Sequence, residues 1–288
     1  MTPIALIAYN RPDHLRRTLD ALSKNEGASE TDLFIFSDGP KSDSDELLVN
    51  EVRDIRPEGF RSVSRINNIV NVGSSDTVIS AVSYVLAMYD SVIVVEDDLV
   101  TSRNFLTYMN CCLVLFKDRK DISSIAGYNP IRSTIYCTND LYLSPRPCSW
   151  GWATWNDRWY KFDPYNQKIT KEDKKGFNLG GDDLYRMYKQ IDIWDVKWAF
   201  HNYKLSLYTV YPGISKVMNI GADGSGVHVG KTNRYDTVLD PRKGFSYSNK
   251  DLQPSVLALE RFRAFYHHSL FKRFKLLIYD ICFRPLLR

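Results

Sequence analysis

The apolar and polar positions fall into two regimes along the chain. In the first hundred residues, short apolar runs alternate with stretches that repeat at helical spacing. Residues 3–8, 32–36, 63–70 and 91–95 read as strands, rich in Ile, Val, Leu and Phe. Between them recur Leu15, Leu19 and Leu22, then Leu47, Leu48, Val52 and Ile55, then Val78, Ile79, Val82 and Leu86. Three- and four-residue spacing puts each set on one face of a helix. Pro12 suits a first helical position, and Ser42 with Asp45 has capping-box spacing. Four strands alternating with three helices predict an α/β fold, a mostly parallel sheet built from βαβ units. Each predicted strand ends in a polar loop: Tyr9-Asn10-Arg11, Asp38-Gly39, Asn71-Val72-Gly73 and Glu96-Asp97-Asp98. Ligands of such sheets lie beyond the carboxyl ends of the strands, so one ligand can touch all four loops.

After Val100 the regular alternation stops. Residues 104–116 read as a buried helix, 122–126 and 205–211 as strands, and 129–149 as loop-rich. Trp150, Trp152, Trp155 and Trp159 crowd into ten residues. Residues 168–181 read as a mobile polar surface loop, and 183–203 as one helix with Trp194, Asp195 and Trp198 near its middle. Residues 219–228 form a glycine-rich loop ending in His228. The expected organisation is one domain over 1–230, in two halves at 1–100 and 101–230 that divide where the regular alternation stops. A helical, basic C-terminal extension over 231–288 follows.

Composition narrows the class. The 288 residues are 44% hydrophobic and 25% charged, as in globular proteins. The net charge is +4, yet residues 261–288 alone carry seven Lys/Arg and one Asp, so the rest nets to −2. A nearly neutral body argues against nucleic acid as its ligand. The cysteines at 111, 112, 137, 148 and 282 are odd in number and lack CxxC spacing, which suggests reduced thiols and a cytoplasmic protein. The first residues enter a strand with no basic, cleavable leader, and no apolar run reaches the ~18 residues of a membrane span.

The acids after the fourth strand carry the chemistry. Three adjacent carboxylates repel one another, and a divalent cation with its preference for oxygen ligands removes that cost. Opening the next helix is the structural alternative for Asp97 and Asp98. No G-x-G-x-x-G follows the first strand and no P-loop occurs. The stretch Ala8-Tyr-Asn-Arg-Pro-Asp-His-Leu15 resembles the opening of glycosyltransferase family 2. Val94-Val-Glu-Asp-Asp-Leu99, followed by Asn104-Phe105, is similar to the acid motif of the N-acetylglucosaminyltransferase I family. The resemblance, which runs from about Pro3 to His228, implies a GT-A fold: a Rossmann-like sheet flanked by helices. It further implies that Asp98 ligates Mn²⁺ or Mg²⁺ on the donor diphosphate, with Asp97 facing the ribose or sugar and Glu96 beside it. It sets Asp38 against a uracil edge, and Arg11, with Tyr9, Asn10, Asn71 and Gly73, near the nucleotide. A turn residue and an ion-paired arginine are the structural alternatives for Asp38 and Arg11.

The second half must supply an acceptor site and a base. Sugar hydroxyls are poor nucleophiles near neutral pH, so a carboxylate should take the proton. Asp195, between Trp194 and Val196, is the candidate, and the resemblance places an acid in a similar Trp-Asp segment. Asp192, three residues earlier on one predicted helix face, is the rival. The family 2 motif Gln-x-x-Arg-Trp is absent, which argues against a processive synthase. Trp150, Gly151, Trp152 and Trp194 are candidate walls of the acceptor pocket, with core packing the alternative for the tryptophans. His228 is a candidate metal or phosphate contact, with a plain surface residue as the alternative.

The expected function is inverting, metal-dependent transfer from a UDP-sugar to a saccharide, or lipid-linked saccharide, hydroxyl in bacterial envelope polysaccharide assembly. Two alternatives are a sugar nucleotidylyltransferase, which would need a glycine-rich basic loop after the first strand, and a non-catalytic saccharide-binding scaffold. Phe262, Phe265, Tyr266, Leu270, Phe274 and Leu277 would line one face of a basic C-terminal helix. That face either lies on an anionic membrane, making the protein peripheral on the cytoplasmic membrane, or packs on the domain.

Overall fold

The computed structural model describes residues 1–131, 141–224 and 231–267. The predicted alternation is present: β1 (Ile4–Ala8), α1 (Pro12–Ser23), β2 (Asp32–Ser37), α2 (Asp43–Asp54), β3 (Ser62–Asn67), α3 (Ser74–Leu86) and β4 (Ser91–Glu96). The chain continues through β5 (Leu99–Thr101), α4 (Phe105–Leu115), β6 (Ile122–Ala126), β7 (Leu141–Ser144), β8 (Trp152–Trp155) and α5 (Asn156–Trp159). It then runs through α6 (Asp173–Phe177), α7 (Leu184–Gln190), α8 (Trp194–Lys204), β9 (Tyr208–Pro212), β10 (Val217–Asn219) and α9 (Val256–Tyr266). Eight strands make one mixed sheet in the order β3-β2-β1-β4-β8-β6-β9-β7, and β5 pairs with β10. β1, β2, β3 and β4 are mutually parallel, while β8 runs antiparallel to β4 and β6.

Every residue of β1 is buried because helices cover both faces of the sheet. Ile4, Leu6 and Ala8 pack with α1 and α4, whereas Ala5 and Ile7 face α3 and α8. The same alternation sorts the tryptophans. Trp155 joins the α4 side, while Trp152, one pleat away, stacks on Trp194 of α8 with ring centroids 5.1 Å apart. The tryptophan cluster is therefore divided: Trp152 and Trp155 lie in β8 and Trp159 in α5. A sequence reading that looks for sugar-binding rings misses β8, because both faces of this strand are apolar.

Three other expectations change. The loop-rich segment contains β7, which pairs with β9. The expected surface loop at 168–181 contains α6, and its Phe177 is buried against Phe200 and Leu184. The expected single helix at 183–203 breaks between α7 and α8, where Ile191 and Ile193 are extended. Two β-branched residues flanking Asp192 have weak helical preference, and Ser75 holds the Trp194 N–H at 3.2 Å.

The described residues after 230, at 231–267, pack on the body. Lys216 and Asp240 form a fully buried ion pair, to which Asn104 donates at 3.1 Å. Ala258 and Phe262 of α9 pack on Tyr142 and Tyr211. Phe262 is 1% exposed, so the first part of the proposed membrane stripe is core, while Leu270, Phe274 and Leu277 lie outside the described residues. Among the described residues, no helix is long and apolar enough to cross a membrane.

Candidate active site

The strand order fixes where a ligand belongs. The chain winds from β1 outward through β2 and β3, then returns to place β4 on the other side of β1. Adjacent loops therefore diverge at the carboxyl ends of β1 and β4, the crevice that open α/β sheets use for ligands. Tyr9, Asn10 and Arg11 follow β1 there, and Asp97 and Asp98 follow β4.

Arg11 joins the two loops. One guanidinium nitrogen donates to Asp97 Oδ1 at 2.6 Å, and the other lies 3.1 Å from Asp98 Oδ2. The Tyr9 N–H donates to Asp97 Oδ2 at 3.1 Å. Burial opposes the charge of Arg11, but the two carboxylates outweigh it and raise its pKa. Burial also pushes Asp97 up to about 6, although Arg11 pulls the other way. Glu96 is held well above the usual carboxylate range by burial, then by Asp98, Asp97 and Asp195. That last influence brings Asp195 of α8 into the electrostatic neighbourhood of the β4 acids.

Asp98 Oδ1 is buried with no hydrogen-bond partner. An unpartnered carboxylate oxygen is costly in a protein interior and is what a cation ligand requires. Among the described residues, no group of three or more His, Cys, Asp or Glu could hold a metal ion. What the described residues offer a cation is the unpartnered Asp98 oxygen. His228 lies outside the described residues.

The glycine-rich loop lies against the pair. Ile220 N–H donates to the Asp98 carbonyl at 2.9 Å. A Cβ on Gly221 would lie 2.2 Å from Asp98 Oδ2 and 2.8 Å from Arg11 Nη1, so a side chain there would displace the carboxylate or the guanidinium. His14 Nε2 approaches Asp223 Oδ2 of the same loop at 3.3 Å. Sequence reasoning gave His14 no role, since nothing local ties α1 to a loop two hundred residues away.

Other candidate residues have partners within the protein. Asp38 is 4% exposed and accepts from Gly39, Val72 and Gly73 N–H groups and from Asn68 Nδ2, at 2.9–3.1 Å. This carboxylate ties the β2 loop to the start of α3. Asn71 Nδ2 donates to the Gly39 carbonyl at 2.8 Å. Tyr9 Oη and Asn10 Nδ2 both donate to Asp45, at 3.1 and 2.8 Å. Asp45 reads in the sequence only as a capping residue. Gly73, at φ +86°, has open space where a side chain would stand, so the start of α3 is accessible.

On the acceptor side, Asp195 sits in the first turn of α8, where Ser149 Oγ donates to Oδ2 at 3.4 Å. Asp192 lies outside that helix and pairs with Lys197 at 2.5 Å, its side chain 84% exposed. Asp195 lines a cavity of about 140 Å³ with Trp150, Trp194, Arg146, Cys148, Tyr235 and Tyr266. Trp150 stands between Tyr128 and Tyr235, with ring centroids 4.9 and 5.1 Å away. Arg146 spends its charge on Asp183, at 2.6 and 3.3 Å, and lies 3.7 Å over the Tyr266 ring. Burial pushes the Cys148 thiol up to about 12, so it is not a nucleophile near neutral pH.

Two expected acceptor residues do not reach the cavity. Trp152 is 1% exposed beneath Trp194. Gly151, at φ +58°, is required by packing, because a Cβ would lie 2.6 Å from Val217 Cγ1. Tyr235 and Tyr266, both in the supposed extension, line it instead; no sequence spacing links them to Trp150.

No protein-family model matches the chain. No curated protein matches it either. Solved structures do. Mannosyltransferase PcManGT from Pyrobaculum calidifontis, in complex with GDP-Man and Mn²⁺, is 12% identical with a TM-score of 0.38, over 53% of this chain and 44% of that one. Galactosyltransferase LgtC, in complex with donor and acceptor sugar analogues, is 10% identical with a TM-score of 0.39, over 70% of each chain. S. aureus TarS is 13% identical with a TM-score of 0.42, over 78% of this chain and 37% of that one. The chain thus spans less than half the length of PcManGT and of TarS.

Proposed function

We propose that the protein is a cation-dependent glycosyltransferase that moves a sugar from a nucleoside-diphosphate donor to a saccharide hydroxyl with inversion. One juxtaposition carries the reading. The β4 acids and Arg11 occupy the crevice between β1 and β4, and Asp195 stands close enough to raise Glu96 while lining an aromatic cavity.

The roles follow from charge. Asp98, with its unpartnered oxygen, would hold Mn²⁺ or Mg²⁺. When bound, that ion supplies positive charge against the leaving diphosphate. Arg11 offers the same diphosphate a second positive group. Asp195 takes the proton of the acceptor hydroxyl as that oxygen attacks the anomeric carbon from the face opposite the diphosphate. Ser149 orients the Asp195 carboxylate. Trp150 and Tyr235 give the acceptor ring apolar faces to stack on, and Trp194 closes the cavity beside the base.

The donor base reads as uracil from the sequence resemblance, and the setting as bacterial envelope polysaccharide assembly. The basic stretch after His267 is the part left to meet an anionic bilayer. Thermal unfolding with UDP-, GDP- and other nucleotide sugars, each with and without Mn²⁺, tests the donor. A ligand at about 100 times its Kd should stabilise the fold by about 2.7 kcal/mol. Stabilisation by a UDP-sugar only when Mn²⁺ is present is expected. No shift with any nucleotide sugar would overturn the reading.

A further inference from the structure

Arg11 stands in the crevice and holds the Asp98 carboxylate that is offered to a divalent ion, together with Asp97. Its two nitrogens reach Asp97 and Asp98 at 2.6 and 3.1 Å. The Asp97 and Asp98 side chains are 4% and 10% exposed, and that of Arg11 is 21% exposed. The acids are thus held inside while the guanidinium keeps a route to solvent. Asp98 has one oxygen engaged by Arg11 and one without a partner.

A divalent ion arriving alone would meet half of a carboxylate, with a guanidinium about one hydrogen bond away. Two positive groups would then share two carboxylates at short range in a low-dielectric crevice, which is unfavourable. A diphosphate changes the balance. It gives the guanidinium another anion, one whose oxygens its planar fork can hold by two hydrogen bonds, as a lysine ammonium does not. Gly221 lets the glycine-rich loop lie directly against both side chains, where any larger residue would push on the ion pair.

We propose that Arg11 is a transferable counter-ion: it neutralises Asp97 and Asp98 in the empty site and passes to the donor diphosphate when a cation takes Asp98. The cation and the diphosphate therefore bind synergistically, and neither binds well alone. This rests on the cation site of the proposed function. It adds that Arg11 opposes the cation in the absence of nucleotide, the reverse of a residue that merely holds the acids in place.

The test is Mn²⁺ binding by the full chain, read from the electron paramagnetic resonance signal of free Mn²⁺. Titrations run without nucleotide and at saturating UDP, with the Mn²⁺–UDP complex in solution measured separately. In the wild type, UDP should tighten Mn²⁺ by about tenfold or more, within the usual range for linked sites. Arg11→Gln should bind Mn²⁺ alone several-fold more tightly than the wild type and lose most of the UDP coupling. Arg11→Lys keeps the charge but engages one carboxylate at a time, and should fall between. If Arg11→Gln fails to fold by circular dichroism, the Arg11→Lys comparison decides. Weaker Mn²⁺ binding by the variants would overturn the proposal and make Arg11 a structural clamp, leaving the cation site standing. A wild type that binds UDP but never Mn²⁺ would overturn the proposal and the cation assignment together.

Discussion

Asp192 and Asp195 are three residues apart in sequence, yet a helix start separates them. Asp192 is in the extended break after α7, paired with Lys197 and facing solvent, while Asp195 is in the first turn of α8 beside Ser149. A continuous helix would have put both on one face and left the choice of base open. The break settles which of them borders the cavity.

Asp195→Asn should lower kcat by about 100-fold or more, a typical loss for a general base, with donor Kd nearly unchanged. Asp192→Asn removes an exposed ion pair and should change kcat less than about twofold. Steady-state kinetics with calorimetric donor binding checks both. The reverse ranking would move the base to Asp192.

Asp38 makes a prediction of a different kind. Its four accepted hydrogen bonds tie together two loops that border the crevice. Asp38→Ala leaves buried N–H groups without acceptors and should cost about 3 kcal/mol of stability. Urea denaturation reads this directly. Unchanged stability with lost nucleotide affinity would instead give Asp38 to the nucleotide base.

The pH dependence of stability follows from Asp97. Its pKa in the folded chain is raised from 3.8 to about 6, chiefly by burial, so the folded state binds the proton more tightly than the unfolded state does. The stabilisation is complete well below pH 4, where the unfolded carboxyl is also protonated, and fades as the pH rises through about 6. In cation-free buffer the wild type should therefore lose about 2 kcal/mol relative to Asp97→Asn between pH 4 and pH 7. Denaturation curves at the two pH values check the difference, and a constant gap would contradict the assigned burial.

The buried Lys216–Asp240 pair secures the segment after residue 230. Asp240→Ala would strand a fully buried ammonium over Tyr108 and Phe245. The expected cost is about 3–5 kcal/mol, seen as a lower Tm. A surface-like loss below about 1 kcal/mol would mean that this segment is dispensable to the fold.

The first hundred residues could be read from the sequence because apolar periodicity and loop polarity agree there. The run Ser91–Glu96 followed by two acids marks the site as soon as β4 is known to neighbour β1. The second half resists such reading for physical reasons. β8 is apolar on both faces, so its tryptophans look like a ligand platform when most of them are core. Phe262 belongs to an apolar stripe that suits a bilayer equally well, and only packing on Tyr211 shows where it goes. The contacts of Gly221 with Asp98 and of Tyr235 with Trp150 join segments far apart in sequence, and no local pattern encodes them.

Sugar transfer from a nucleotide is the joint role proposed for the β4 acids and Asp195. The most direct measurement is release of nucleoside diphosphate from a panel of nucleotide sugars with saccharide acceptors, by the wild type, Asp98→Asn and Asp195→Asn, with Mn²⁺ and with EDTA. The wild type should release nucleoside diphosphate from at least one donor, only with the cation present, and both variants should fall by about 100-fold or more while keeping the wild-type circular dichroism. Release that persists in EDTA, or that both variants retain, would contradict the account.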